Sequence, residues 1–323
     1  MLKRFLPIVA AAAAFFHLQG AALAAYPEKS VTLVVAFTPG GPSDVLARIV
    51  GKKLSEILGQ SFIIDNRPGA GGNIAAELVA RAAPDGYTLL MGNNSILATN
   101  ASLYSKISYD AQKDFAPISL IGSQANILVV HPSVQAKSVS ELIALLKSKP
   151  GDLNFASSGH GAAAHLAGEL FKTEAKVDIV HIPYKGAAPA LQDVVAGQVE
   201  IMFATAASVL GHIKSGTVRP LAVTTPQRTP VLPDLPTVAE SGIPGFDATT
   251  WHGLVAPAGT PKEVIDTLHK ATVAALNDPA VRKSLVDLGV DIVGNTPDEF
   301  AAYIKAEIPK WTAVVKASGA KLD

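Results

Sequence analysis

The chain has 323 residues, 49% of them hydrophobic, with 27 basic and 27 acidic side chains and no cysteine. That charge balance offers no electrostatic footprint for nucleic acid or for an anionic membrane surface. Without cysteine there are no disulfides, no thiol catalysis and no Cys-based metal sites, so stability has to come from an apolar core.

Residues 1–24 read as an export signal: Lys3 and Arg4, an apolar run from Phe5 to Phe16, and a small-residue cleavage site at Ala22-Leu23-Ala24. Cleavage is expected after Ala24, and no other uninterrupted apolar stretch reaches the ~18 residues of a membrane span. The rest of the chain is long enough for two domains.

Val31–Phe37 is an apolar, β-branched run and predicts a strand. A Pro-Gly-Gly loop comes next. From Asp44, apolar residues recur at helical spacing until Gly59. Ser61–Asp65 predicts a strand, Asn66–Asn73 a glycine loop, Ile74–Ala82 a helix and Tyr87–Met91 a third strand. Strand and helix alternating in this way specify a parallel sheet. Ile118–Ile121 and Asn126–His131 predict strands, and Ser138 with Glu141 has capping-box spacing for a helix to Lys149. The alternation resumes with strands at Leu153–Ala156, Val177–Ile182, Val199–Phe203 and Val218–Thr224. Between them lie helices at Ala162–Lys172, Pro189–Ala196 and Ala207–Ser215. Proline and glycine make Gln227–Asp247 extended. Trp251–Ala256 is apolar again, and Pro261–Asn277, Asp278–Leu288 and Pro297–Ala317 predict helices around a last strand at Val290–Val293. The fold class is α/β with two domains. The first is discontinuous, residues 25–124 and 254–323, and the second is 125–253. Two crossings put a cleft at the hinge.

Four strand-to-helix loops are built from Gly, Ser, Asn and Pro: 38–44, 92–95, 157–161 and 184–188. Such loops gather at the carboxyl ends of the strands, where open α/β sheets bind ligands. Helix N-termini there offer unpaired N–H groups and partial positive charge, which suits an anion. The candidate ligand-binding residues are Thr38, Pro39, Gly40, Gly41, Ser43, Asp44, Asn93, Ser157, Ser158, Gly159, His160, Gly161, Tyr184, Gly186 and Thr205. Asp44 opposes an anion; capping its own helix is the favoured reading, with orienting a water or meeting an amino group as alternatives. His165 is expected to pack, and Trp251 either walls the cleft or anchors the hinge. Gly159→Asp is expected to abolish binding with the fold intact.

No G-x-S-x-G elbow, H-E-x-x-H or Walker loop occurs, and Gly69-Ala70-Gly71-Gly72-Asn73-Ile74 lacks the third glycine of a dinucleotide fingerprint. Catalytic residues, a cofactor and a metal are therefore not expected; His160 and His165, five apart, fall off one helical face.

An ordered set of motifs resembles the tripartite tricarboxylate transporter solute receptors, the Bug family. The set runs Phe37-Thr38-Pro39-Gly40-Gly41, Asn66-Arg67-Pro68-Gly69-Ala70-Gly71-Gly72, Pro84-Asp85-Gly86-Tyr87, Pro183-Tyr184-Lys185-Gly186, Val218-Arg219-Pro220-Leu221-Ala222, Leu232-Pro233-Asp234-Leu235-Pro236 and Ala256-Pro257-Ala258-Gly259-Thr260-Pro261. Glu200 stands where that family usually has Asp, and His160 at a position that varies. The resemblance implies a fold like type II periplasmic binding proteins. It also implies a periplasmic, monomeric receptor that takes a small organic acid and hands it to a two-component membrane permease. Two alternatives stay open: an exported hydrolase or isomerase using Ser157, His160 and Asp44, and a receptor that feeds a signalling partner.

Overall fold

The computed structural model describes residues 26–184 and 186–322; the expected export signal and its cleavage site lie outside them. The strands are β1 (Val31–Val35), β2 (Phe62–Asn66), β3 (Thr88–Asn93), β4 (Phe115–Gln124), β5 (Asn126–Val130), β6 (Asn154–Ser157), β7 (Val180–Pro183), β8 (Ile201–Thr205), β9 (Arg219–Val223), β10 (Thr250–Pro257) and β11 (Val290–Ile292). The helices are α1 (Pro42–Leu58), α2 (Asn73–Ala80), α3 (Asn100–Leu103), α4 (Val139–Ser148), α5 (Ala163–Ala175), α6 (Ala187–Val195), α7 (Ala206–Lys214), α8 (Lys262–Asn277), α9 (Pro279–Asp287) and α10 (Pro297–Ser318). A π-helical turn, Ser95–Thr99, joins β3 to α3.

Two open sheets result, ordered β2-β1-β3-β10-β4-β11 and β7-β6-β8-β5-β9. Among the strands, the parallel pairs lie in the strand–helix–strand units, where β1 pairs with β2 and β3, and β6 with β7 and β8; two isolated parallel bridges, Tyr104 with Leu322 and Val223 with Thr237, lie outside them. The remaining pairs are antiparallel and involve β4, β5 and β10, the strands next to the crossings. The chain leaves the first sheet between Gln124 and Asn126, and its return is complete by Thr250.

The predicted elements are present, with shifted ends. α1 begins at Pro42 rather than Asp44, because Pro at the first helical position is pre-set for helix and lacks the N–H that would go unpaired there. Ser138 does cap α4, its hydroxyl accepting the Glu141 N–H at 3.1 Å.

One apolar cluster spans both lobes and includes Phe155, Leu166 and Phe171 of the second with Phe300, Ile304 and Trp311 of α10, and each lobe has a further core of its own. Trp251 is fully buried and anchors the hinge rather than walling the cleft. Its indole N–H and that of Trp311 both donate to Glu307 Oε2 at 2.9 Å. Lys310 spans Glu307 Oε1 (3.1 Å) and Asp247 Oδ2 (2.8 Å), so the returning segment is tied to α10. A buried carboxylate is tolerated here because its oxygens have partners.

Candidate functional site

Between the lobes lies a cavity of about 680 Å³, within the range of small-molecule sites. Four helices point their N-termini at it: its lining includes Gly40, Gly41 and Ser43 at α1, Ala162 and Ala163 at α5, Ala187 and Ala188 at α6, and Thr205 and Ser208 at α7. None of these four ends has a side-chain cap. Elsewhere α4, α9 and α10 are capped by Ser138, Asp278 and Thr296, whereas α2, α3 and α8 also lack a side-chain cap, so it is the convergence of four such ends that marks this space. The uncapped N–H groups and helix dipoles therefore converge on one space. No Asp, Glu, Lys or Arg is among the described residues that line it.

The first lobe supplies a polar wall of buried Asn93, Asn94, Ser95, Gln124, Thr250 and His252. His252 Nε2 lies 2.9 Å from Ser43 Oγ. Burial pushes the His252 pKa down to about 4, so the ring is neutral near pH 7. The second lobe adds Ser158, Leu191, Gln192 and His212.

Of the residues expected from sequence, Gly40, Gly41, Ser43, Asn93, Ser158 and Thr205 line the cavity. The other nine lie behind or beside it. Thr38 and Pro39 are exposed and are not part of the lining. Asp44 is buried and does not act as the N-cap, which is Gly41. Its Oδ2 accepts from the Gly40 N–H and Arg48 Nε, both at 2.9 Å, and its Oδ1 from Asn66 Nδ2 at 3.0 Å. Burial alone would raise its pKa, but the hydrogen bonds from Arg48, Gly40 and Asn66 outweigh it and hold the carboxyl below its usual range. Asp44 thus fixes the glycine loop, with Gly40 at φ +84° supplying a conformation that L side chains rarely adopt.

Ser157 is fully buried, its Oγ 2.6 Å from His181 Nε2 and accepting from the Gly159 N–H at 3.1 Å. Gly161 turns its N–H to His165 Nδ1 (3.1 Å), Tyr184 donates its phenol proton to Asp193 Oδ2 (2.6 Å), and Gly186 is the N-cap of α6. His160 is exposed away from the lining. With Ser157 bonded to His181 and Asp44 to Arg48, the set Ser157, His160 and Asp44 is not assembled.

The sequence reading missed Gln124, Thr250 and His252. They sit in or next to apolar strands, and only the return of β10 between β3 and β4 brings them to the cleft. The available signal was one histidine inside the run Trp251–Ala256. Ser208 is one turn into α7 and Gln192 is midway along α6, so neither belongs to a loop motif.

Residues 46–320 match the profile of the tripartite tricarboxylate transporter family receptor, TctC. This chain belongs to that receptor family. Bordetella pertussis BugT is 39% identical over 298 residues, which cover 92% of this chain and 91% of BugT. R. palustris Rpa4515, solved with adipate, superposes with a TM-score of 0.83 at 41% identity, covering 92% of this chain and all of that one. MatC from Rhodopseudomonas palustris, solved with malate, gives 0.79 at 36% identity and covers 90% of this chain and all of its own. The receptor is thus a two-lobed solute-binding protein. No helix among the described residues is long and apolar enough to cross a membrane.

Proposed function

We propose that this receptor captures a small organic acid in the cleft, in the periplasm, and delivers it unchanged to a two-component membrane permease. The observation that carries the reading is the convergence of four uncapped helix N-termini on a cavity with no carboxylate in its described lining. Each such end favours an anion by about 0.3–1 kcal/mol when exposed and up to about 2 when partly buried. Together they replace a direct salt bridge. The adipate and malate held by the two relatives support an acid as the ligand.

In this reading Gly40, Gly41, Ser43 and Asn93 meet the acid from one lobe and Ser158, Thr205 and the starts of α5, α6 and α7 from the other. The lobes, expected at 25–124 with 254–323 and at 125–253 but with the whole of β10 from Thr250 in the first sheet, swing about the two crossings and close over it. The closed population grows only by the ligand's preference for the closed state. The receptor works as a monomer, carries no catalytic group, and loses its signal after Ala24.

The test is a thermal-shift screen of the ligand-stripped chain against mono-, di- and tricarboxylates, amino acids and aromatic acids, with recovery of each hit. An acid at about 100 times its Kd adds about 2.7 kcal/mol of stability. A hit recovered intact supports the receptor reading. A hit recovered as a product points to an enzyme, and no hit in any acid class removes the anion site.

A further inference from the structure

Three of the chain's eight histidines come together outside the cleft. His160 comes from the loop after β6, His165 from the first turns of α5, and His181 from β7. One ring nitrogen from each lies within 4.8 Å of the others. The buried His165 and half-buried His181 rings stack, centroids 4.0 Å apart, against Phe155; the exposed His160 stands edge-on, 5.7 and 5.1 Å from them. Their separation in sequence hides the set, since His181 arrives only through the pairing of β7 with β6.

We propose that His160, His165 and His181 form a binding site for one divalent transition-metal ion of the zinc or copper type. Neutral imidazole is the donor these ions share, and three imidazoles leave a fourth position for water. His181 has an oxygen partner of the kind that orients metal-bound histidines, Ser157 Oγ at 2.6 Å from its Nε2, and the Glu169 carboxylate stands near His165, Oε1 3.8 Å from Nε2 and beyond hydrogen-bond distance. A tetrahedral ion with bonds of about 2.0–2.1 Å needs donors roughly 3.3 Å apart. Reaching that spacing needs the stacked His165 and His181 rings to tilt so that their in-plane lone pairs converge, and the exposed His160, between Gly159 and Gly161, to move in. At His165 Nδ1 the ion would displace the Gly161 N–H, which donates there at 3.1 Å. None of the three rings lines the ligand cleft, so this site stands or falls apart from the anion reading.

The experiment titrates the EDTA-stripped mature chain with Zn²⁺ against a chromophoric chelator, and with Cu²⁺ under electron paramagnetic resonance. One equivalent of either ion is expected to bind at micromolar concentration or below, with nitrogen couplings from imidazole in the copper spectrum. His160→Ala, at an exposed position, is expected to fold normally and to weaken binding by more than about 100-fold, beyond the 10–100-fold typical of outer partners. Glu169→Gln should weaken it less. Binding no tighter than millimolar, or tight binding that His160→Ala leaves unchanged, overturns the proposal.

Discussion

A carboxylate placed at the start of α6 separates the anion site from the fold that carries it. Ala188 is the second residue of α6, is exposed, and lines the cavity. In Ala188→Asp the new charge sits in the first turn of a helix, where it stabilises by about 0.3–1 kcal/mol. The folded state should therefore be as stable as the parent or slightly more so. The same charge stands where the ligand's carboxylate would be held. Two unit charges about 4 Å apart repel by about 1 kcal/mol at the dielectric of water and about 4 kcal/mol at an effective value of 20. The Kd for the tightest acid of the screen should rise by between about 5-fold and 1000-fold. Ala188→Asn, of similar size and uncharged, should lose far less. Calorimetric titration reads the affinity, and urea unfolding reads the stability. A folded Ala188→Asp variant that binds the acid as the parent does would refute the placement of the anion at this helix.

Asp44→Ala should cost about 2 kcal/mol in urea unfolding, the scale of hydrogen bonds to a buried charge, because the Gly40 N–H, Arg48 and Asn66 lose their common acceptor. Acid affinity should fall with it as the loop at Gly40 loosens, and unchanged stability would contradict that role. Acidification should destabilise the chain between about pH 6.5 and pH 4. His165, His181 and His252 have native pKa values of about 4, 3 and 4, so in this window the unfolded state binds protons that the native state does not. The contribution is fully present above about pH 6.5 and declines as pH falls, by up to about 1.4 kcal/mol per pH unit for each group. Urea midpoints that stay constant from pH 7 to 4.5 would contradict this.

Much of the fold was legible because the strands and helices obey simple rules. Val31–Val35 is β-branched or apolar throughout, the α1 stripe ends at a left-handed Gly59, and Ser138 and Glu141 announce their helix. Ends were misplaced where one residue outweighs a pattern, as Pro42 does for α1. The π-helical turn at Ser95–Thr99 has no periodic signature in five residues. Within the site, loop chemistry located Gly40, Gly41, Ser43, Asn93, Ser158 and Thr205, since glycine and hydroxyl residues at strand ends have a local reason to be there. His252 and Gln124 depend on which strands become neighbours, and that is decided by the whole chain. The direction of each side chain was also out of reach: Ser157 and Ser158 are adjacent, yet one faces His181 and the other the cleft. Gly159→Asp, attractive from sequence, is not a clean test, because φ of +135° strains any side chain at that position.

Whether backbone N–H groups at the four helix starts hold the acid is tested most directly by a crystal structure of the chain with the tightest acid of the screen. The expected result is a carboxylate in the cleft, hydrogen-bonded at about 2.7–2.9 Å to N–H groups at the starts of at least two of α1, α5, α6 and α7. An acid bound outside the cleft, or one whose carboxylate faces away from all four helix starts, would contradict it.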